Sequence, residues 1–164
     1  MGFKSFLRLA GTWVIEVPEV IVLYYSRTGN TEKMAKAVIE GIRGVQGMDA
    51  RLLAEASVTP EELADMEAIV VGMPTYHHDM TRSMKSLLEE VAVKGLDLRG
   101  RIGASFGSYG WSGEAPRLIL EVMENRFGMK VIKPPLLVKY APDEKGLEDC
   151  RRLGKNVAGQ IARP

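Results

Sequence analysis

Apolar runs alternate with helix-patterned segments along nearly the whole chain, and this alternation restricts the fold more than any other feature. Val20-Ile21-Val22-Leu23-Tyr24-Tyr25 and Glu67-Ala68-Ile69-Val70-Val71-Gly72 lack the polar alternation of a strand wetted on one face. Strands of that kind belong in parallel sheets covered on both sides. Further strands are expected at 48–54, 101–106 and 130–138. Helices are expected from the loop after strand one to about Arg43, then at 59–63 (a short turn), 80–93, 115–127 and 143–161. Strands separated by helices in this way predict an α/β fold, a five-stranded parallel sheet with helices on both faces. Right-handed crossovers then place ligands at the carboxyl ends of the strands, where the loops after strands one, three and four all emerge.

The first of these loops, Ser26-Arg27-Thr28-Gly29-Asn30-Thr31, leads directly from a strand into a helical pattern. The first amides of a helix have no internal partners, and the helix dipole puts partial positive charge there. Ser26, Thr28, Asn30 and Thr31 can add side-chain donors, and Gly29 permits the backbone angles of an anion nest. The loop has neither the Gly-x-Gly-x-x-Gly spacing for a pyrophosphate nor the Gly-Lys-Ser/Thr ending of a nucleotide-hydrolysing loop. A terminal monophosphate fits it best. The alternative reading is a polar turn that caps a helix through Asn30 or Thr31.

The loop after strand four, Gly107-Ser108-Tyr109-Gly110-Trp111-Ser112-Gly113, combines three glycines with two broad aromatic faces. The loop after strand three contributes Pro74, Thr75 and Tyr76, followed by His77, His78 and Asp79. Aromatic groups on both sides of a slot, with a phosphate nest at one end, suit a planar heterocycle on a phosphorylated chain. Stacked aromatic pairs contribute about 0.5–1.5 kcal/mol beyond area burial.

Composition narrows the remaining choices. At 164 residues the chain can build one substantial core. A net charge of +1 gives no nucleic-acid footprint. The single cysteine, Cys150, excludes a disulfide framework or a cysteine-ligated cluster within one chain. It makes a cytoplasmic, reducing setting the default. No apolar stretch is long enough for a membrane span, because Arg8 and Glu16 interrupt the N-terminal segment. Residues 1–19 are read as an extension without a role in the chemistry, and 20–164 as the functional domain. An edge strand or an arm on a partner subunit are alternative readings for the extension, which leaves a homodimer open.

Three segments together resemble the flavodoxin-like family, and most of all the flavodoxin module of the A-type flavoproteins, or flavodiiron proteins. They are Tyr24-Tyr25-Ser26-Arg27-Thr28-Gly29-Asn30-Thr31-Glu32, Val71-Gly72-Met73-Pro74-Thr75 and Phe106-Gly107-Ser108-Tyr109-Gly110-Trp111-Ser112-Gly113-Glu114. The resemblance implies a three-layer sandwich with strand order 2-1-3-4-5 and riboflavin monophosphate (FMN) as cofactor. It implies a phosphate loop of Ser26, Arg27, Thr28, Gly29, Asn30 and Thr31. The residues from Pro74 to Asp79 would border one edge of the ring, and Ser108, Tyr109, Gly110, Trp111 and Gly113 the other. Tyr109 and Trp111 are the expected stacking partners.

The activity so implied is electron transfer between protein redox partners, a low-potential donor such as ferredoxin and an acceptor enzyme, with the flavin carrying the chemistry. The alternative is an enzyme, an NAD(P)H-dependent flavin quinone or small-molecule reductase. A flavin-free interaction module is a third reading, against which the intact phosphate loop argues. Where family members commonly have Asn-Asn, this chain has His77-His78, its only histidines. They are read either as ring-edge groups, through a hydrogen bond or a cation, or as solvated loop residues. Thr75 through Thr81 contains no glycine. A residue with a side chain at positive φ costs roughly 1–2 kcal/mol. The peptide rotation by which many flavodoxins stabilise one-electron reduction is therefore expected to be less favourable here.

Overall fold

In the computed structural model, which describes residues 6–15 and 17–162, a short hairpin precedes the main sheet. Its strands, β1 (Phe6–Leu9) and β2 (Thr12–Ile15), pair antiparallel with each other in a two-stranded sheet of their own. Ala10 and Gly11 make the turn at φ 48° and 85°, the mirror-type geometry that fits the twist of two tightly joined strands.

The main sheet contains β3 (Val20–Tyr24), β4 (Arg51–Ala54), β5 (Ala68–Gly72) and β6 (Ile102–Tyr109), in the order β4-β3-β5-β6, all parallel. The edge beyond β6 is shared by β7 (Lys130–Val131) and β8 (Leu136–Lys139), both parallel to β6. This is the expected 2-1-3-4-5 order with its fifth strand in two pieces. The stretch between the pieces includes Pro134 and Pro135, which have no amide hydrogen for a ladder. Pairing of β8 with 106–109 also carries β6 three residues beyond its expected end.

Among the described residues, α1 (Asn30–Arg43), α2 (Pro60–Asp65), α3 (Arg82–Val93) and α4 (Glu114–Asn125) connect the strands, and α5 (Glu144–Ile161) follows the last of them. Alternate residues of each central strand feed opposite layers, because strand side chains alternate in direction. Ile21, Leu23, Ile69 and Val71 pack with Leu63, Met84, Leu88, Ile119 and Met123, from α2, α3 and α4. Val20, Val22, Ala68 and Val70 pack with Met34, Val38, Ile42, Cys150 and Val157, from α1 and α5. Among the described residues, no helix is long and apolar enough to cross a membrane.

Candidate functional site

The three loops expected at one sheet edge meet there around a cleft of about 420 Å³. Arg27, Thr28 and Asn30 line its first side, Pro74, Thr75 and Tyr76 its second, and Ser108, Tyr109, Gly110 and Tyr140 its third.

Helix N-termini distinguish this edge. Side chains cap three helices: Thr59 accepts from the Glu62 amide on α2, Thr81 from Met84 on α3 and Asp143 from Gly146 on α5. Gly29 begins α1 with no side-chain cap. Its φ of 88° lies in the left-handed region, where glycine alone is free of a Cβ penalty. The Ser26 Oγ accepts a hydrogen bond from the Gly29 amide at 3.1 Å, which folds the loop back on itself. The start of α1, without a side-chain cap, thus lies beside Thr28 and Asn30 on the cleft lining, at the positive end of the dipole. Thr31 is buried below this nest, its methyl 3.2 Å from where a Cβ at Gly72 would sit.

Gly107 decides how closely the second and third walls can approach. A Cβ there would lie 2.1 Å from the Met73 carbonyl oxygen, so only glycine lets β6 run this near the loop after β5. The Met73 amide donates to the Phe106 carbonyl at 2.9 Å. Thr75 Oγ1 accepts from the Ala115 amide at 3.0 Å and so ties the second wall to the start of α4. Tyr76 rests edge-on against Tyr25, ring centres 6.0 Å apart and planes at 84°. Burial raises the Tyr76 phenol pKa, and the neighbouring Tyr25 adds to the shift. Beneath this wall, the buried Glu55 carboxylate accepts hydrogen bonds from Thr81 Oγ1 (2.9 Å) and from the Ser83 hydroxyl, which anchors the start of α3.

The other expected site residues lie around the cleft and not on its lining. His77 and His78 form the tip of a tight turn, with Tyr76 and Asp79 as its closing pair. Trp111 stands 91% exposed at the tip of its loop. Gly113 forms the start of α4 and packs against Leu137. The sequence reading missed Tyr140. It follows β8 directly, at φ 60°, and its amide donates to the Tyr109 carbonyl at 2.7 Å. Lys139 Nζ lies 5.3 Å from its ring centre, a cation–π distance. Its position after the fifth strand, at the ligand-bearing edge, was the available signal.

Glu114, in the first turn of α4, completes the surroundings. His78 Nδ1 is 2.9 Å from its Oε1. The neighbouring Ser112 hydroxyl and then His78 hold its carboxyl well below the ordinary range, at about 2.

The residues present suit a ligand with an anionic tail and a flat head: uncapped amides and hydroxyls stand at one end, tyrosines on two walls. The family model described as flavodoxin matches residues 22–154. A flavodoxin from Clostridium beijerinckii is 32% identical over 139 residues, covering 84% of this chain and 97% of that protein. A solved flavodoxin from the domain Archaea superposes with a TM-score of 0.80 at 40% identity, covering 87% of this chain and 98% of that one. The type A flavoprotein fprA of Rhodobacter capsulatus is 32% identical over 148 residues, or 87% of this chain. The chain spans about a third of that longer protein, 33% of its length.

Proposed function

The chain belongs to the flavodoxin family, and from that premise we propose that it holds FMN in the cleft and passes electrons between protein redox partners. The family binds FMN, and the similarity to stand-alone flavodoxins at 31–32% identity supports a carrier over a reductase. The observation that carries the assignment is the uncapped start of α1 facing the same cleft as the tyrosines.

In this reading Ser26, Thr28, Asn30 and the first amides of α1 bind the phosphate, and Arg27 adds a cation at the rim. Tyr76 and Tyr109 orient the ring from its two sides. Trp111 turns inward from its exposed position to cover one face, and Tyr140 shields the end nearest β8 from water. Bound FMN supplies one- and two-electron redox chemistry; the protein supplies position, desolvation and field. The functional unit is 20–164, and a low-potential donor such as ferredoxin and an acceptor enzyme are the partners. The setting is cytoplasmic, in keeping with a lone cysteine that is buried and unpaired.

The first test is the visible spectrum of purified protein, with release and identification of the chromophore. The second compares FMN with riboflavin, which lacks the phosphate. Thr28→Ala is expected to weaken FMN and leave riboflavin unchanged, whereas Tyr76→Ala weakens both. Equal losses for the two ligands in Thr28→Ala would remove the phosphate assignment.

A further inference from the structure

His77 and His78 occupy backbone that histidine does not favour. Tyr76 and Asp79 exchange both main-chain hydrogen bonds, at 3.0 and 2.9 Å, so the two histidines form a two-residue hairpin turn. Their φ angles are 48° and 64°. Positive φ at both central positions is the geometry for which Asn-Gly is preferred, and each side-chain-bearing residue there costs about 1–2 kcal/mol. Such a turn needs support from outside.

Two tethers supply it. Asp79 accepts from the Met80 amide at 2.8 Å and pairs with Lys85 on α3. His78 reaches across to α4, where its Nδ1 meets Glu114 Oε1 at 2.9 Å, with Ser112 Oγ 3.4 Å from the same nitrogen. The other carboxylate oxygen of Glu114, Oε2, is buried with no hydrogen-bond partner. The Glu114 side chain as a whole is 30% exposed, so its Oε1 contact with His78 is the hydrogen bond that fixes its direction, while Oε2 faces inward without one. The helix dipole favours its charge in this first turn. The pair therefore joins the loop after β5 to the helix that follows β6, across the outer side of the cleft.

We propose that His78 and Glu114 form a clasp that presets the 76–79 turn, and with it the Tyr76 ring, in the geometry that receives the flavin head. Glu114 is then a positioning residue: it sets ring affinity through the turn and touches no part of the ligand. Without the clasp, the two histidines relax toward negative φ, the Tyr76–Asp79 pair opens, and Tyr76 loses its fixed seat on Tyr25. Holding a loop in its bound form lowers the ordering cost of binding. The inference rests on the FMN assignment above. It further requires that FMN and riboflavin be affected alike, since the clasp is remote from the phosphate nest.

The test compares two ways of removing the clasp. Glu114→Ala removes it and leaves the turn unsupported. His77→Asn/His78→Gly also removes it but installs the pair that adopts the turn unaided. Dissociation constants for FMN and riboflavin are measured by flavin fluorescence, and exchange of the Asp79 amide by NMR on the flavin-free protein. Glu114→Ala should weaken both flavins by the same factor, about tenfold, the equivalent of about 1.4 kcal/mol, and should speed Asp79 exchange. The double variant should keep wild-type affinity and slow exchange, and should restore both when combined with Glu114→Ala. Unchanged affinity in Glu114→Ala would overturn the clasp. Equal losses in Glu114→Ala and the double variant would also overturn it, by showing that these side chains act on the ligand directly. Wild-type protein that bound neither flavin would overturn the FMN assignment itself, while the exchange measurement would still report whether the turn depends on Glu114.

Discussion

Trp111 and Cys150 show how differently two side chains of one small protein meet solvent. Trp111 is 91% exposed beside the cleft, a large apolar face kept in water. If it turns inward over a bound ring, its emission should shift to the blue and be quenched when FMN is added. Trp111→Ala should then weaken FMN and riboflavin alike, by about 2- to 13-fold for a stacking contribution of about 0.5–1.5 kcal/mol. An unchanged affinity would place the indole outside the site. Cys150, on α5, is fully buried in the core layer that α5 shares with α1, and desolvation pushes its thiol up to about 12. The thiolate is the reactive form, so a thiol reagent should leave the native protein unmodified and react at once in denaturant. Sequence identified both residues but not their surroundings. An aromatic in a glycine-rich loop has the same letter whether it points inward or outward, and only the folded backbone fixes its direction.

Among the elements, α1 and α5 make the most intimate contact, and glycine makes it possible. A Cβ at Gly154 would lie 2.1 Å from the Val38 carbonyl oxygen, and one at Gly41 would lie 2.0 Å from that of Arg151. Both obstacles are backbone, so a side chain at either position must push the helices apart. Gly154→Ala should destabilise the fold by about 1–3 kcal/mol or more, the usual range for overpacking, as read from the urea midpoint. The strands and helices were legible in the periodicity, and the strand-to-helix turn in the loop 26–31, because these follow from local chemistry, whereas the strand order was what the family resemblance implied. Other features were not. The break between β7 and β8 depends on which residues find a partner on β6. The extension of β6 through Tyr109 depends on β8 lying beside it. Pairing between strands about 30 residues apart leaves no local mark beyond the two prolines.

At the scale of the whole molecule, 22 basic and 21 acidic side chains nearly cancel, leaving a formal charge of +1. Long-range attraction to a partner is therefore weak, and docking depends on the local surface around the cleft. The balance is also organised in pairs, and these set the acid limit. Hydrogen bonds from Arg43, Lys94, Lys85 and Arg126 depress the carboxyls of Asp49, Glu61, Asp79 and Glu89, and Glu114 falls to about 2. Unfolding returns these groups to their ordinary values of about 3.9–4.3, so below that range the unfolded chain binds more protons than the native one. Stability from these pairs should be fully present above pH ~4.5 and decline as pH falls toward about 2, as measured by the melting temperature across that window. A flat profile there would show that the pairs are too solvated to contribute.

Read in order, the chain carried the alternation of strand and helix and the strand-to-helix turn of the loop 26–31. Those properties reside in neighbouring residues and survive any reading of the chain in order. The fold alone decided that Tyr140 lines the cleft, that His77 and His78 sit in left-handed backbone, and that Glu114 meets His78. Each of these joins residues distant in sequence. His78 and Glu114 are 36 positions apart, and only the packing of β5 beside β6 brings them within reach of a hydrogen bond.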